Sequence, residues 1–128
     1  MSTISAADRY TYDAEVVRVV DGDTLDMLVD LGFRVFAKVR VRLYGLDTPE
    51  TYGVKKESDE YKAGVAATTF VSDWLRDTER KVLIKSHDGK PLGQGKYGRW
   101  LVVVFPHGGG KSLNESLLEA GHAESVSY

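Results

Sequence analysis

One alternation, from Phe33 to Tyr44, constrains this chain more than anything else in it. Phe33, Val35, Ala37, Val39, Val41 and Leu43 fall on one face; Arg34, Phe36, Lys38, Arg40, Arg42 and Tyr44 fall on the other. A period of two kept over that length is a half-buried β-strand. The strand is long for an ordinary sheet, so it is expected to bend or bulge around a barrel. It runs straight into Gly45-Leu46-Asp47-Thr48-Pro49-Glu50. That turn sets two carboxylates just past a cationic strand end, where a metal ion and a phosphate could be held together.

The flanking segments supply partners for this strand. Tyr10 to Val20 reads as a first strand, and Leu25 to Val29 as a second. Between them, Asp21-Gly22-Asp23-Thr24 is a hairpin signal, because Gly tolerates positive φ and Asp caps the turn. Asp30-Leu31-Gly32 is expected to make the next turn. Ser58 is a good helix N-cap with Asp59 and Glu60 in the first turn, where they suit the helix dipole. Ala63, Ala66, Ala67, Phe70 and Trp74 recur at helical spacing, so 59–76 reads as an amphipathic helix. Lys81 to Lys85 is a short strand, 86–98 a loop rich in glycine, and Arg99 to Phe105 an apolar strand. Ser112-Leu113-Asn114-Glu115 is a capping box that opens a second helix ending at Gly121.

The order is three strands, a helix, two strands, a helix. This is an α+β chain, mainly β, and it suits a five-stranded Greek-key barrel of the OB type. One helix lies between strands three and four and a second at the C-terminal end. At 128 residues a single domain is expected, with residues 1–9 as a mobile lead-in.

Composition excludes several classes. There is no cysteine, hence no disulfide, thiolate metal site or cysteine nucleophile. No apolar run approaches the ~20 residues of a membrane span, and the opening residues lack the basic and apolar regions of a signal peptide. The net charge of −2 does not indicate a generally basic nucleic-acid binder. Cations are nevertheless concentrated in 34–43, which carries four and no acid, and in 80–99, which carries six against Asp88. Two basic segments on an acidic body suggest a localised anion site.

If the turn after strand one lies beside the end of strand three, Asp21, Asp23, Asp47 and Glu50 converge. Such a cluster is destabilising unless cations neutralise it. All its donors are oxygens, which suits Ca²⁺, or Mg²⁺ or Mn²⁺. Thr48 precedes a proline, which favours an extended backbone and could turn its carbonyl toward an ion. Arg42 and Arg99 are the candidate phosphate grips, since a guanidinium can bind two phosphate oxygens at once. His87, His107 and His122 have no ligand spacing and are read as surface residues.

Four blocks together are more specific than any one. Val19-Val-Asp-Gly-Asp-Thr24, Arg42-Leu-Tyr-Gly-Leu-Asp-Thr-Pro-Glu50, Lys96-Tyr-Gly-Arg99 and Leu113-Asn-Glu-Ser-Leu-Leu-Glu-Ala-Gly121 resemble the staphylococcal nuclease (thermonuclease) family, in order and with similar spacing. The resemblance implies an OB-fold enzyme that cleaves DNA and RNA with Ca²⁺ and acts as a monomer. It implies Asp23, Asp47 and the Thr48 carbonyl as metal ligands, with Asp21 behind them. It makes Glu50 the general base, and Arg42 and Arg99 the groups that stabilise the transition state. Lys96 and Tyr97 fall where the family contacts a substrate phosphate. The sequence departs from the family pattern at Gly95, where an acid is usual, and at Ser127, where a base-stacking tyrosine is expected. The competing expectation is a non-catalytic OB-fold module that binds nucleic acid or protein. Such modules lose the arginines, the base or the acids, all of which are present here.

Overall fold

In the computed structural model of the protein, residues 10–51, 53–92 and 99–126 are described. The expected lead-in at 1–9, and Lys96, Tyr97 and Ser127, lie outside the described residues. Five strands close a barrel: β1 (Thr11–Asp21), β2 (Thr24–Asp30), β3 (Phe36–Leu43), β5 (Lys81–Leu92) and β6 (Arg99–Pro106), in the order β1-β2-β3-β6-β5. A two-residue strand β4 (Leu46–Asp47) pairs with β7 (Glu124–Ser125) outside it. Helix α1 (Asp59–Asp77) links β4 to β5, and α2 (Leu113–Glu119) follows β6.

Both helices start where the sequence places them. The Ser58 hydroxyl accepts the N–H of Tyr61, and the Ser112 hydroxyl that of Glu115, each occupying an otherwise orphaned donor of the first turn. β1 and β2 form the expected hairpin with Gly22 and Asp23 at its tip. Leu25, Met27, Val29, Val41, Leu43, Val82 and Val104 point inward and are buried, and Val71, Leu75, Leu113 and Leu117 of the helices join the same core.

Three expectations need correcting. The long alternation is not strand throughout, because β3 begins only at Phe36. The turn lies one step later than Asp30-Leu31-Gly32: the Val35 N–H donates to Gly32 O at 2.9 Å, and Phe33 and Arg34 sit between them at φ +55° and +60°. These are the signs of a type I′ hairpin turn, which favours Asn-Gly. Alternation alone cannot reveal it, since residue type keeps alternating through the turn. Next, β5 runs to Leu92 rather than stopping at Lys85, because its pairing with β6 resumes at Pro91 and Leu92 after an irregularity. Pro and Gly are tolerated at such interruptions. Finally, α1 buries Gly64, Ala67, Val71 and Leu75, whereas Ala63 and Ala66 are exposed and Phe70 and Trp74 only partly covered.

A non-glycine residue in left-handed conformation costs roughly 1–2 kcal/mol. Replacing Phe33-Arg34 by Asn-Gly is therefore expected to raise stability by about 1–2 kcal/mol. A thermal melt reads this as a Tm several degrees higher. An unchanged or lower Tm would show that the Phe33 and Arg34 side chains stabilise the turn.

Candidate active site

The tip of the first hairpin is held against the end of β3. Thr24 pairs with Arg42, and the Leu43 N–H donates to Asp23 O at 2.9 Å. The chain then turns at Gly45 (φ +82°) into β4 and the acid turn of residues 47–50. Two glycines let these pieces touch. A Cβ on Gly22 would lie 2.9 Å from Ala67 Cβ and 3.0 Å from Thr48 Oγ1. A Cβ on Gly64 would lie 2.8 Å from Pro49 O and 3.0 Å from Glu50 O. The acid turn is thus seated on α1 at backbone contact distance.

Six of the expected residues are brought together here. Asp23 is buried, and its carboxylate accepts from Thr24 Oγ1 (3.0 Å) and the Thr48 N–H (3.2 Å). One guanidinium nitrogen of Arg42 donates to Asp47 at 2.6 Å and lies 3.7 Å from Asp23. Asp21 accepts from Thr51 Oγ1 at 2.8 Å. Burial raises the pKa of Glu50 above the usual carboxylate range, reinforced by Asp21, Asp23 and Asp47 and opposed by Arg42. Burial likewise raises that of Asp47, as does its hydrogen bond with Asp23, against the attraction of Arg42. Two buried polar atoms, Arg42 Nε and Thr48 Oγ1, have no hydrogen-bond partner.

The balance is negative: Asp21, Asp23, Asp47 and Glu50 act on one another, and Arg42 is the cation that pairs with two of them. Among the described residues no three acidic or histidine side chains form a complete metal cage. What is present is a pair of adjacent carboxylates, Asp23 and Asp47, with surplus negative charge. That donor set fits a hard divalent cation that keeps much of its water. Next to this pair a cleft of about 510 Å³ opens toward α1 and the residues after α2. Its carboxylates are Asp47, Glu50, Asp59, Glu60 and Glu124, and no lysine or arginine lines it.

The family model described as "Staphylococcal nuclease homologue" matches residues 40–128. The chain belongs to the staphylococcal nuclease family. It is 36% identical over 113 residues to the thermonuclease of Staphylococcus intermedius (88% of this chain, 59% of that one) and 34% identical over 125 residues to that of Staphylococcus hyicus (98% and 64%). An uncharacterized protein of Methanocaldococcus jannaschii is 28% identical over 125 residues (88% and 58%). The chain spans about three-fifths of the length of these relatives.

In this member of the staphylococcal nuclease family, Arg99 opens β6 opposite Leu92, and the next residues, Trp100 to Val102, pair in parallel with Val41 to Leu43. The register thus sets the start of β6 beside the strand that carries Arg42. The side chains of Arg99 and His87 lie outside the described residues. His107 is exposed, 3.0 Å from Asp13, while His122 is half-buried with its ring 5.0 Å from that of Phe70. The sequence reading missed Thr51, Gly22, Gly64 and Asn114. Asn114 is buried: its Oδ1 accepts the Val104 N–H (3.0 Å), and its Nδ2 donates to Tyr44 O (2.9 Å) and Val102 O (3.2 Å). It braces the end of β3, and so the turn that follows. A polar residue inside a capping box was the only signal for it.

Proposed function

We propose that this chain is a metal-dependent nuclease that hydrolyses phosphodiester bonds in DNA and RNA with little sequence specificity. The observation that supports this best is the buried, unpartnered Nε of Arg42 beside the surplus of carboxylates. A buried donor left without an acceptor costs about 1–3 kcal/mol, so the arrangement is completed by an anion with oxygen acceptors, as a phosphate has.

Asp23 and Asp47, with the Thr48 carbonyl, would hold Ca²⁺, or Mg²⁺ or Mn²⁺, and Asp21 would stand behind them. When bound, the cation supplies Lewis-acid stabilisation of the charge that builds on the phosphate oxygens. Arg42 and Arg99 donate to the non-bridging oxygens, where fixed guanidinium groups need no reorganisation as charge develops. Glu50 takes a proton from water as its oxygen attacks phosphorus in line. The bond to the leaving oxygen breaks, and that oxygen is protonated. Lys96 and Tyr97 contact a neighbouring phosphate.

The test is cleavage of single-stranded DNA and RNA at low salt, with Ca²⁺ and then with excess chelator. Cutting is expected with Ca²⁺ and is lost on chelation. Arg99→Ala is expected to lose about 10²–10³ in rate. Binding without cutting in any metal would overturn the enzyme reading and favour a non-catalytic module.

A further inference from the structure

We propose that the outward face of β3, with the turn that leads into it, is a track for the single-stranded polynucleotide flanking the scissile bond. The inference rests on the nuclease reading above and extends it to substrate form. Phe36, Lys38, Arg40 and Arg42 lie on one face of β3, so the track runs continuously into the candidate active site. At about 3.4 Å per residue, Phe36 to Arg42 spans about 20 Å, enough for a few nucleotides. Beyond Phe36 the turn presents Phe33, fully exposed at 100%, and Arg34; Phe36 itself is 55% exposed. Two bare phenyl rings alternating with cations are the elements of sequence-tolerant single-strand binding: rings stack on unpaired bases, and cations follow the backbone. The left-handed backbone at Phe33 and Arg34 points the same way, because a bulky residue there is an outlier of the kind found at functional sites.

The acids on this face do not cancel the cations. Asp26 is engaged by Arg40 through two bonds of 2.8 and 3.1 Å, and Asp30 accepts the Gly32 N–H at 2.8 Å. Lys38 is exposed and faces Leu28 across the strand pair. The opposite exit from the site is the cleft lined by Asp47, Glu50, Asp59, Glu60 and Glu124, which repels a polyanion. Charge therefore directs the strand over β3.

The experiment compares wild type with three variants: Phe33→Asn with Arg34→Gly, Phe36→Ser, and Lys38→Ser. All change exposed positions, and the first is expected to fold more stably than wild type. Cleavage is measured on a trinucleotide, a single-stranded 20-mer and a duplex 20-mer. Anisotropy of the labelled single-stranded 20-mer is followed across a salt series. The track predicts that KM for the single-stranded 20-mer rises about tenfold in the Phe variants, while trinucleotide and duplex cleavage are unchanged. It also predicts that Lys38→Ser lowers the salt slope of binding by about 0.7, whereas Phe36→Ser leaves the slope alone. Unchanged KM and affinity in all variants, with cutting intact, would overturn the track and leave the nuclease standing. If wild type cuts nothing, the nuclease reading falls, and the anisotropy still decides the track by the same two signatures. A wild-type dimer on sedimentation that the Phe variants dissociate, with oligonucleotide affinity unmoved, would make this face a protein interface and overturn the proposal.

Discussion

Glu50→Gln is expected to slow phosphodiester cleavage by about 10²–10⁴-fold and, in chelator, to melt at a higher temperature than wild type. The two effects have one origin. Glu50 is a carboxylate whose charged form the fold disfavours, through burial first and then Asp21, Asp23 and Asp47. Its pKa is therefore higher folded than unfolded. Below the carboxylate range it is protonated in both states, and wild type and variant differ little. From about pH 4 upward the unfolded chain ionises first, and wild type loses stability that the amide does not. The gap between the two melting curves opens with rising pH until the folded carboxyl has ionised as well. Melts from pH 3 to 8 in chelator check this, and a constant gap would show that Glu50 is not electrostatically frustrated. Lost activity in a protein that is no less stable separates a catalytic role from a structural one.

The second large effect is expected at Gly64. Alanine is the better helix former by about 1 kcal/mol, so an exposed helical glycine would gain by the change. Here the new Cβ meets Thr51 Cγ2 at 2.7 Å and the carbonyls of Pro49 and Glu50 at 2.8 and 3.0 Å. Two of these three are backbone atoms that no rotamer change can move. Overpacking of this kind costs about 1–3 kcal/mol, so it offsets or exceeds the propensity gain. Relief comes only by lifting the acid turn off α1, which carries Glu50 with it. A misplacement of about 1 Å costs about 10² in rate. Gly64→Ala is thus expected to lose about 10²-fold in kcat and to melt no higher than wild type. The control is Ala66→Gly, at an exposed position of the same helix, which costs about 1 kcal/mol and leaves kcat unchanged. Full activity in Gly64→Ala would mean that the turn does not need its seat on the helix.

Much of this was legible in the sequence, for identifiable reasons. The hairpin at Gly22-Asp23, the inward set of β3 and the two serine caps are local patterns with local causes. So is the spacing from Arg42 to Asp47, which the strand end and turn convert into a 2.6 Å contact. What could not be read depends on partners far along the chain. β4 and β7 are two residues each, too short for any period, and exist because they pair with one another. β5 outruns its own pattern because β6 keeps pairing with it. Gly22 and Gly64 matter through atoms they lack, opposite Thr48 and Pro49, and no spacing rule points to an absent Cβ. Thr51 reads as an ordinary loop residue until its hydroxyl is found on Asp21.

The parallel pairing of β3 with β6 has a temporal consequence. Every acid of the candidate site belongs to the first fifty residues, and their hairpins form from near neighbours. The barrel closes only when Trp100 reaches Val41, and Asn114 then clamps Tyr44. Closures of that sequence separation are slow and come late. At about 5–20 residues per second, several seconds pass on the ribosome between the last acid and the clamp. During that interval a nascent chain surrounded by RNA carries the acids but neither a closed barrel nor the brace that positions them. The topology itself delays maturation of the site until synthesis of the domain is nearly over.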